Sequence, residues 1–219
     1  MTDIARDRRV LEGPVLPTFL YYVAPSLVGL LAISTASLVD GMFVGRFVGP
    51  EALAAVNLLI PYFTLLFGAS LMLAVGGTVR AGRYLGEGNG RAAGAIFSKS
   101  VVAVFALSVC VGVVCNLFDE HLYAVLGAPE SLIDPMRSYF RVISVAFVVQ
   151  LVTLVVYYFV RLDGAPVLAT AALVAGALTN LALDACFIIW FGWGLPGAAL
   201  STAIAQFLQL GVLLTRFSS

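Results

Sequence analysis

The chain has 219 residues, of which 61% are hydrophobic and only 11% charged, against roughly 25% charged residues in a soluble globular domain. A mean hydropathy of +1.04 assigns it to lipid. Twelve basic residues balanced by twelve acidic ones leave no basic face for nucleic-acid phosphates, so that class of partner is excluded.

The opening segment 1–13, "MTDIARDRRVLEG", has the charged character of a signal-peptide start. The apolar run behind it, from about Val15 to Val39, is much longer than the ~7–15 residues of a cleavable core, and it reads as a retained membrane helix. A crossing needs about 20 apolar residues. Charge-free stretches follow at 52–79, 100–118 and 142–160, and then 164–215 is broken only by Asp184, with a turn at "FGWGLPG" (191–197) in its middle. The reading is an all-α membrane protein: a six-helix transmembrane unit over 14–217, with helix cores near 16–39, 52–76, 96–117, 138–160, 166–190 and 195–215. A β-barrel would need alternating polar and apolar residues, which these runs lack.

Charge placement sets an expected orientation. With the N-terminus inside, nine of the twelve basic residues fall in inner segments, and only Arg46, Arg137 and Arg141 fall at outer ones. Both termini are therefore expected in the cytoplasm, segment 1–13 included. Cys110, Cys115 and Cys186 lie in apolar runs without metal spacing and read as small buried hydrophobes.

The polar residues inside these runs are few. Asp184 is the only Asp, Glu, Lys or Arg between Gly164 and Thr215, and a charge at mid-membrane costs at least ~2.5–3.5 kcal/mol. With no intramembrane Arg or Lys to pair with, it must be protonated, cation-bound or wetted. Asn180 lies one turn earlier on the same helical face, so a carboxylate and an amide oxygen project together. Such a pair suits a hard cation or a shared proton; the alternative is an interhelical hydrogen bond. Asp40 ends the first helix with Ser34 and Ser37 before it at helical spacing, facing either a cavity or an ion pair with Arg46. Helix four offers Tyr139, Gln150, Thr153 and Tyr157, and helix six offers Thr202, Gln206 and Gln209. Together they imply polar faces turned toward one interior. Phe19, Tyr22, Phe63 and Phe147 are aromatic candidates for stacking on flat cations. Pro25 and Pro61 should bend helices one and two.

Three segments carry a family resemblance: "LVDGMFVGRFVGPEALAAVNLLIPY" (38–62), "GGTVRAGRYLGEGNGRAA" (76–93) and "YYFVRLDGAPVLATAALVAGALTNLALDACFIIWFGWGLPGAALSTAIAQ" (157–206). In order and over nearly the whole chain, they resemble the amino-terminal half of bacterial multidrug and toxin extrusion (MATE) transporters. The resemblance implies one six-helix lobe of a twelve-helix, two-lobe fold in the plasma (inner) membrane. It implies antiport of lipophilic, often cationic drugs against Na⁺ or H⁺, with no other cofactor. By position, Asp40, Asn180, Asp184, Thr202 and Tyr139 match the family's cation or proton site, the first four as Na⁺ ligands. Pro25 matches the first-helix hinge, and Gln150, Thr153, Tyr157 and Gln206 would line the substrate cavity. The second lobe would come from a separate chain, a missing carboxy-terminal half or a second copy.

The sequence admits three other readings. A lipid-linked oligosaccharide flippase of the same superfamily would want basic residues for pyrophosphate, whereas these interior faces are acidic or neutral. An intramembrane serine hydrolase would need a base for Ser70, and the sole histidine, His121, sits in an outer acidic loop, so no enzyme is expected. The last is an inactive fragment that needs its partner half.

Overall fold

The computed structural model describes residues 14–217; the expected cytoplasmic segment 1–13 and the side chains of Tyr21 and Tyr22 lie outside the described residues. Among the described residues every regular element is helical. The first span is α1 (Val15–Phe43), which continues into a π-helical turn, Val44–Val48. The second is α2 (Pro50–Leu58) followed by α3 (Ile60–Gly86), and the third is α4 (Gly90–Leu117). A short outer helix, α5 (Asp119–Val125), precedes the fourth span, α6 (Glu130–Leu162). The fifth is α7 (Pro166–Asp184) with a second π-helical stretch, Ala185–Trp190, and the sixth is α8 (Gly194–Leu214). All six spans are long and apolar enough to cross a membrane.

Local chemistry explains the boundaries. Pro50 and Pro166 occupy first helical turns, where a missing N–H costs nothing. Between α3 and α4, Gly88 takes a left-handed φ of 74° and the Asn89 side chain accepts a hydrogen bond from the Ala92 N–H at 3.0 Å, stopping one helix and capping the next. Pro61 does not simply bend span two: the helix breaks at Leu59, and the proline stands in the first turn of α3. Pro25 lies within a continuous α1.

Several helices run beyond their apolar cores. α6 begins at Glu130, enclosing Asp134, Pro135, Arg137 and Arg141, and its 33 residues would extend about 50 Å. Charged turns of this kind leave the hydrocarbon slab without leaving the helix. Arg137 pairs with Asp119 of α5 at 2.7 Å, holding the outer helix down. The cysteines depart from expectation: Cys110 is exposed, and Cys115 and Cys186 are only partly covered, because a helix face turned to lipid is as apolar as a core face.

Packing divides the spans into two groups. α1 packs on α7 and α7 on α8; α3, α4 and α6 pack mutually; α6 and α8 join the groups. α6 is the most enclosed, with Met136, Phe140, Leu151 and Val155 fully buried. Small residues permit close helix approach at two seams: a Cβ on Gly29 would sit 3.0 Å from Leu173, and one on Gly176 would sit 2.9 Å from the Gln209 Oε1.

Candidate ion and substrate chamber

Where the two groups of helices meet, a cavity of about 320 Å³ opens among spans one, two, four, five and six. Asp40, Tyr139, Gln150, Asn180, Thr202 and Gln206 supply its polar wall, and Phe63, Ile143 and Phe147 its apolar wall. The Phe63 and Phe147 rings meet edge-on, centroids 4.8 Å apart.

Asp184 stands behind this wall and is fully buried. Its Oδ1 accepts a short hydrogen bond from the Ser201 hydroxyl. Asn180 donates through Nδ2 to Ser201 Oγ at 3.3 Å and Thr202 Oγ1 at 3.4 Å. The Asp40 and Asp184 carboxyl groups lie within hydrogen-bonding reach of each other, and Tyr139 lies beside both. Three buried oxygens here have no donor: Asp40 Oδ1, Asp184 Oδ2 and Gln206 Oε1. Orphaned buried acceptors cost about 1–3 kcal/mol each, a cost that a proton or cation on a carboxylate oxygen offsets. Among the described residues no three His, Cys, Asp or Glu side chains gather, so two carboxyls with neutral oxygens suit a proton or one monovalent hard cation better than a transition metal.

Of the sequence candidates, Asp40, Asn180, Asp184, Thr202 and Tyr139 come together, and Gln150 and Gln206 line the same space. Arg46 is exposed and makes no ion pair with Asp40 among the described residues. Two expected cavity residues do not reach the chamber. Thr153 is buried and donates to the Val149 carbonyl of its own helix at 2.7 Å. Tyr157 points to the end of the bundle where span four turns into span five, and its hydroxyl accepts from Arg161 Nη1 at 2.7 Å. Phe19 is 58% exposed and forms no part of the chamber wall, while the Tyr22 side chain falls outside the described residues. Ser70 is fully buried with its hydroxyl unpartnered, and no hydrogen bond links it to the exposed His121 among the described residues.

Pro25 is tied to two other spans. Its carbonyl accepts from Thr170 Oγ1 at 3.0 Å, and the neighbouring Ser26 hydroxyl accepts from Arg161 Nη2 at 2.8 Å. Sequence reasoning missed Ser201, whose only signal was its place beside Thr202. It also missed the π-helical turns, one starting four residues after Asp40 and the other immediately after Asp184. Such wide turns are frequent at functional sites because they re-aim side chains.

Comparison with known proteins agrees with this architecture. The MatE family model matches residues 25–186. "Multidrug export protein MepA" of Staphylococcus aureus (strain N315) is 25% identical over 195 residues, covering 89% of this chain and 43% of that protein. "Probable multidrug resistance protein YoeA" of Bacillus subtilis (strain 168) is 28% identical over 202 residues, with 89% and 44% covered. The bent form of the Vibrio cholerae MATE transporter VcmN superposes with a TM-score of 0.85 at 25% identity, covering 91% of this chain and 45% of that one. The chain thus spans less than half the length of each. A six-helix, multi-pass membrane unit whose family match runs from Pro25 to Cys186 belongs to the MatE family and has the fold of its amino-terminal lobe.

Proposed function

We propose that this chain is the ion-binding lobe of a secondary active exporter that expels lipophilic, often cationic compounds in exchange for Na⁺ or H⁺. The observation that carries the reading is a pair of neighbouring carboxyls with unsatisfied oxygens, Asp40 on the chamber wall and Asp184 buried behind it, where the wall residues include no Lys or Arg. The same wall disfavours a pyrophosphate-linked lipid, which would require cationic partners there. The relatives' names add support, since MepA is a multidrug export protein.

In this mechanism Asp184, Asp40, Asn180 and Thr202 take up the coupling ion, and Tyr139 flanks the two carboxyls. Occupancy removes the repulsion between the carboxyls and draws α1 toward α7. The strain is relieved near Pro25, where α1 already lacks one backbone hydrogen bond. Movement of α1 narrows the chamber bounded by Gln150, Gln206, Phe63 and Phe147 and weakens drug binding. Ion and drug are then coupled through one conformational equilibrium, reciprocally. The proposal sets the protein in the plasma (inner) membrane with both termini cytoplasmic, and a second six-helix lobe completes the pathway, in keeping with relatives more than twice as long.

Export of ethidium by the complete two-lobe assembly, driven by an imposed Na⁺ or proton gradient, tests the reading. Asp184→Asn should abolish gradient-driven export. Undiminished export in that variant would remove the carboxylate from the coupling role.

A further inference from the structure

A second cavity, of about 340 Å³, lies at the end of the bundle where span one turns into span two and span five into span six. Its walls include Glu51, Pro135, Ser138 and Trp193. Trp193 is held firmly. Gly192 and Gly194 on either side take left-handed φ values of 64° and 60°, and the Trp193 N–H donates to the Phe187 carbonyl at 2.9 Å.

Neighbouring rings hold the indole in place. Trp193 stacks on Phe187 at 5.0 Å and on Phe191 at 5.3 Å, with interplanar angles of 24° and 25°. Phe187 and Phe191 are themselves only 6.2 Å apart. The three rings form one aromatic cluster beside the cavity, and Trp193 lines the cavity while 50% exposed. A tryptophan that only anchors the protein at the membrane surface turns its ring to lipid, as Trp190 does at 78% exposure. Glu51 shares the cavity and has no ion pair among the described residues. Its place in the first turn of α2 favours a negative charge through the helix dipole, but that accounts for the carboxylate and not for the exposed indole.

We infer that this cavity is a second binding site, for an organic cation with a quaternary or protonated nitrogen, held by the Trp193 ring face and the Glu51 carboxylate. An aromatic face beside a carboxylate attracts a weakly hydrated cation by quadrupole and charge together. The site is built from elements other than the chamber's carboxyls. Any part it plays in drug release rests on the export reading, whereas its capacity to bind does not.

Equilibrium dialysis of radiolabelled phenyltrimethylammonium against the purified chain in detergent micelles, with no ion gradient and with Asp40→Asn as the parent background so that the chamber wall lacks its carboxylate, separates the two. Saturable binding is expected, weakened about tenfold in Glu51→Gln and about threefold in Trp193→Phe, unchanged in Trp190→Phe, and not competed by the neutral isostere tert-butylbenzene. Glu51 is exposed, so its variant should fold, and a melting temperature equal to the parent's verifies this. The inference is overturned by absent or non-saturable binding, by Glu51→Gln or Trp193→Phe binding as tightly as the parent, by weakened binding in Trp190→Phe, or by effective competition from tert-butylbenzene. A failed export assay has no bearing on this measurement.

Discussion

Replacing Asp40 with asparagine should make the protein more stable. In the parent, Asp40 Oδ1 and Asp184 Oδ2 are both buried without a donor, and two unit charges about 4 Å apart at an effective dielectric near 20 repel by about 4 kcal/mol. On the proposed function the parent evades most of that repulsion by holding a proton or cation between the groups, so the full amount is not recovered on mutation. What remains is the bond the new Nδ2 donates to Asp184, about 0.6–1.7 kcal/mol for a polar contact between membrane helices. Thermal unfolding in sodium-free detergent buffer at neutral pH should rise by roughly 2–4 °C, the shift that 1 kcal/mol produces in a chain of this size. A second readout comes from linkage: an ion at a hundredfold its dissociation constant stabilises the parent by about 2.7 kcal/mol, and Asp40→Asn should lose that response. A melting temperature more than 2 °C below the parent's would refute the reasoning, because it would mean that Asp40 is satisfied as a carboxylate by donors of its own. An ion response equal to the parent's would refute the chamber as the ion site.

Ser201→Ala removes the hydroxyl that Asp184 accepts and should lower stability by about 1–2 kcal/mol, measured by the same thermal assay. Gly176→Val forces a side chain into Gln209 across the α7–α8 seam and should cost about 1–3 kcal/mol, whereas Gly76→Ala, whose new Cβ meets nothing within 4 Å, should be neutral or slightly stabilising. Thr170→Val removes the bond to the Pro25 carbonyl, and amide exchange in the turn from Ser26 to Gly29 should quicken while that of α6 stays unchanged. Asp163→Asn breaks the pair with Arg216. Because both side chains are partly exposed, the loss should be below about 1 kcal/mol and should fade in high salt.

The chamber was legible where a polar group stood alone. Asp184 has no other charge within its long apolar run, and a carboxylate so isolated requires a partner; Asn180 follows from a single turn of helix. Hydroxyls are harder to read. Ser201, Thr202 and Thr153 all donate to carbonyls of their own helices, and nothing in sequence separates the two that also meet the carboxamide from the one that does not. Thr153 and Tyr157 follow Gln150 at helical spacing, but the chamber is narrower and shorter than the polar stripe. Arg161 claims Tyr157, and that pairing depends on a span-one residue 135 positions away. Helix lengths were underestimated at the charged ends because apolar runs mark the lipid slab and not the end of a helix.

The two wide turns have a consequence for anyone grafting or shortening these spans. Each accommodates one surplus residue per turn, so every position beyond it is rotated by about 100° from where an uninterrupted α-helix would put it. Deleting a single residue from Val44–Val48 or from Ala185–Trp190 would leave both acidic groups where they are and swing Glu51 or Trp193 away from its present wall. Insertions and deletions at that depth should therefore change the far mouth of the bundle while sparing its middle, a separation that point substitution does not offer.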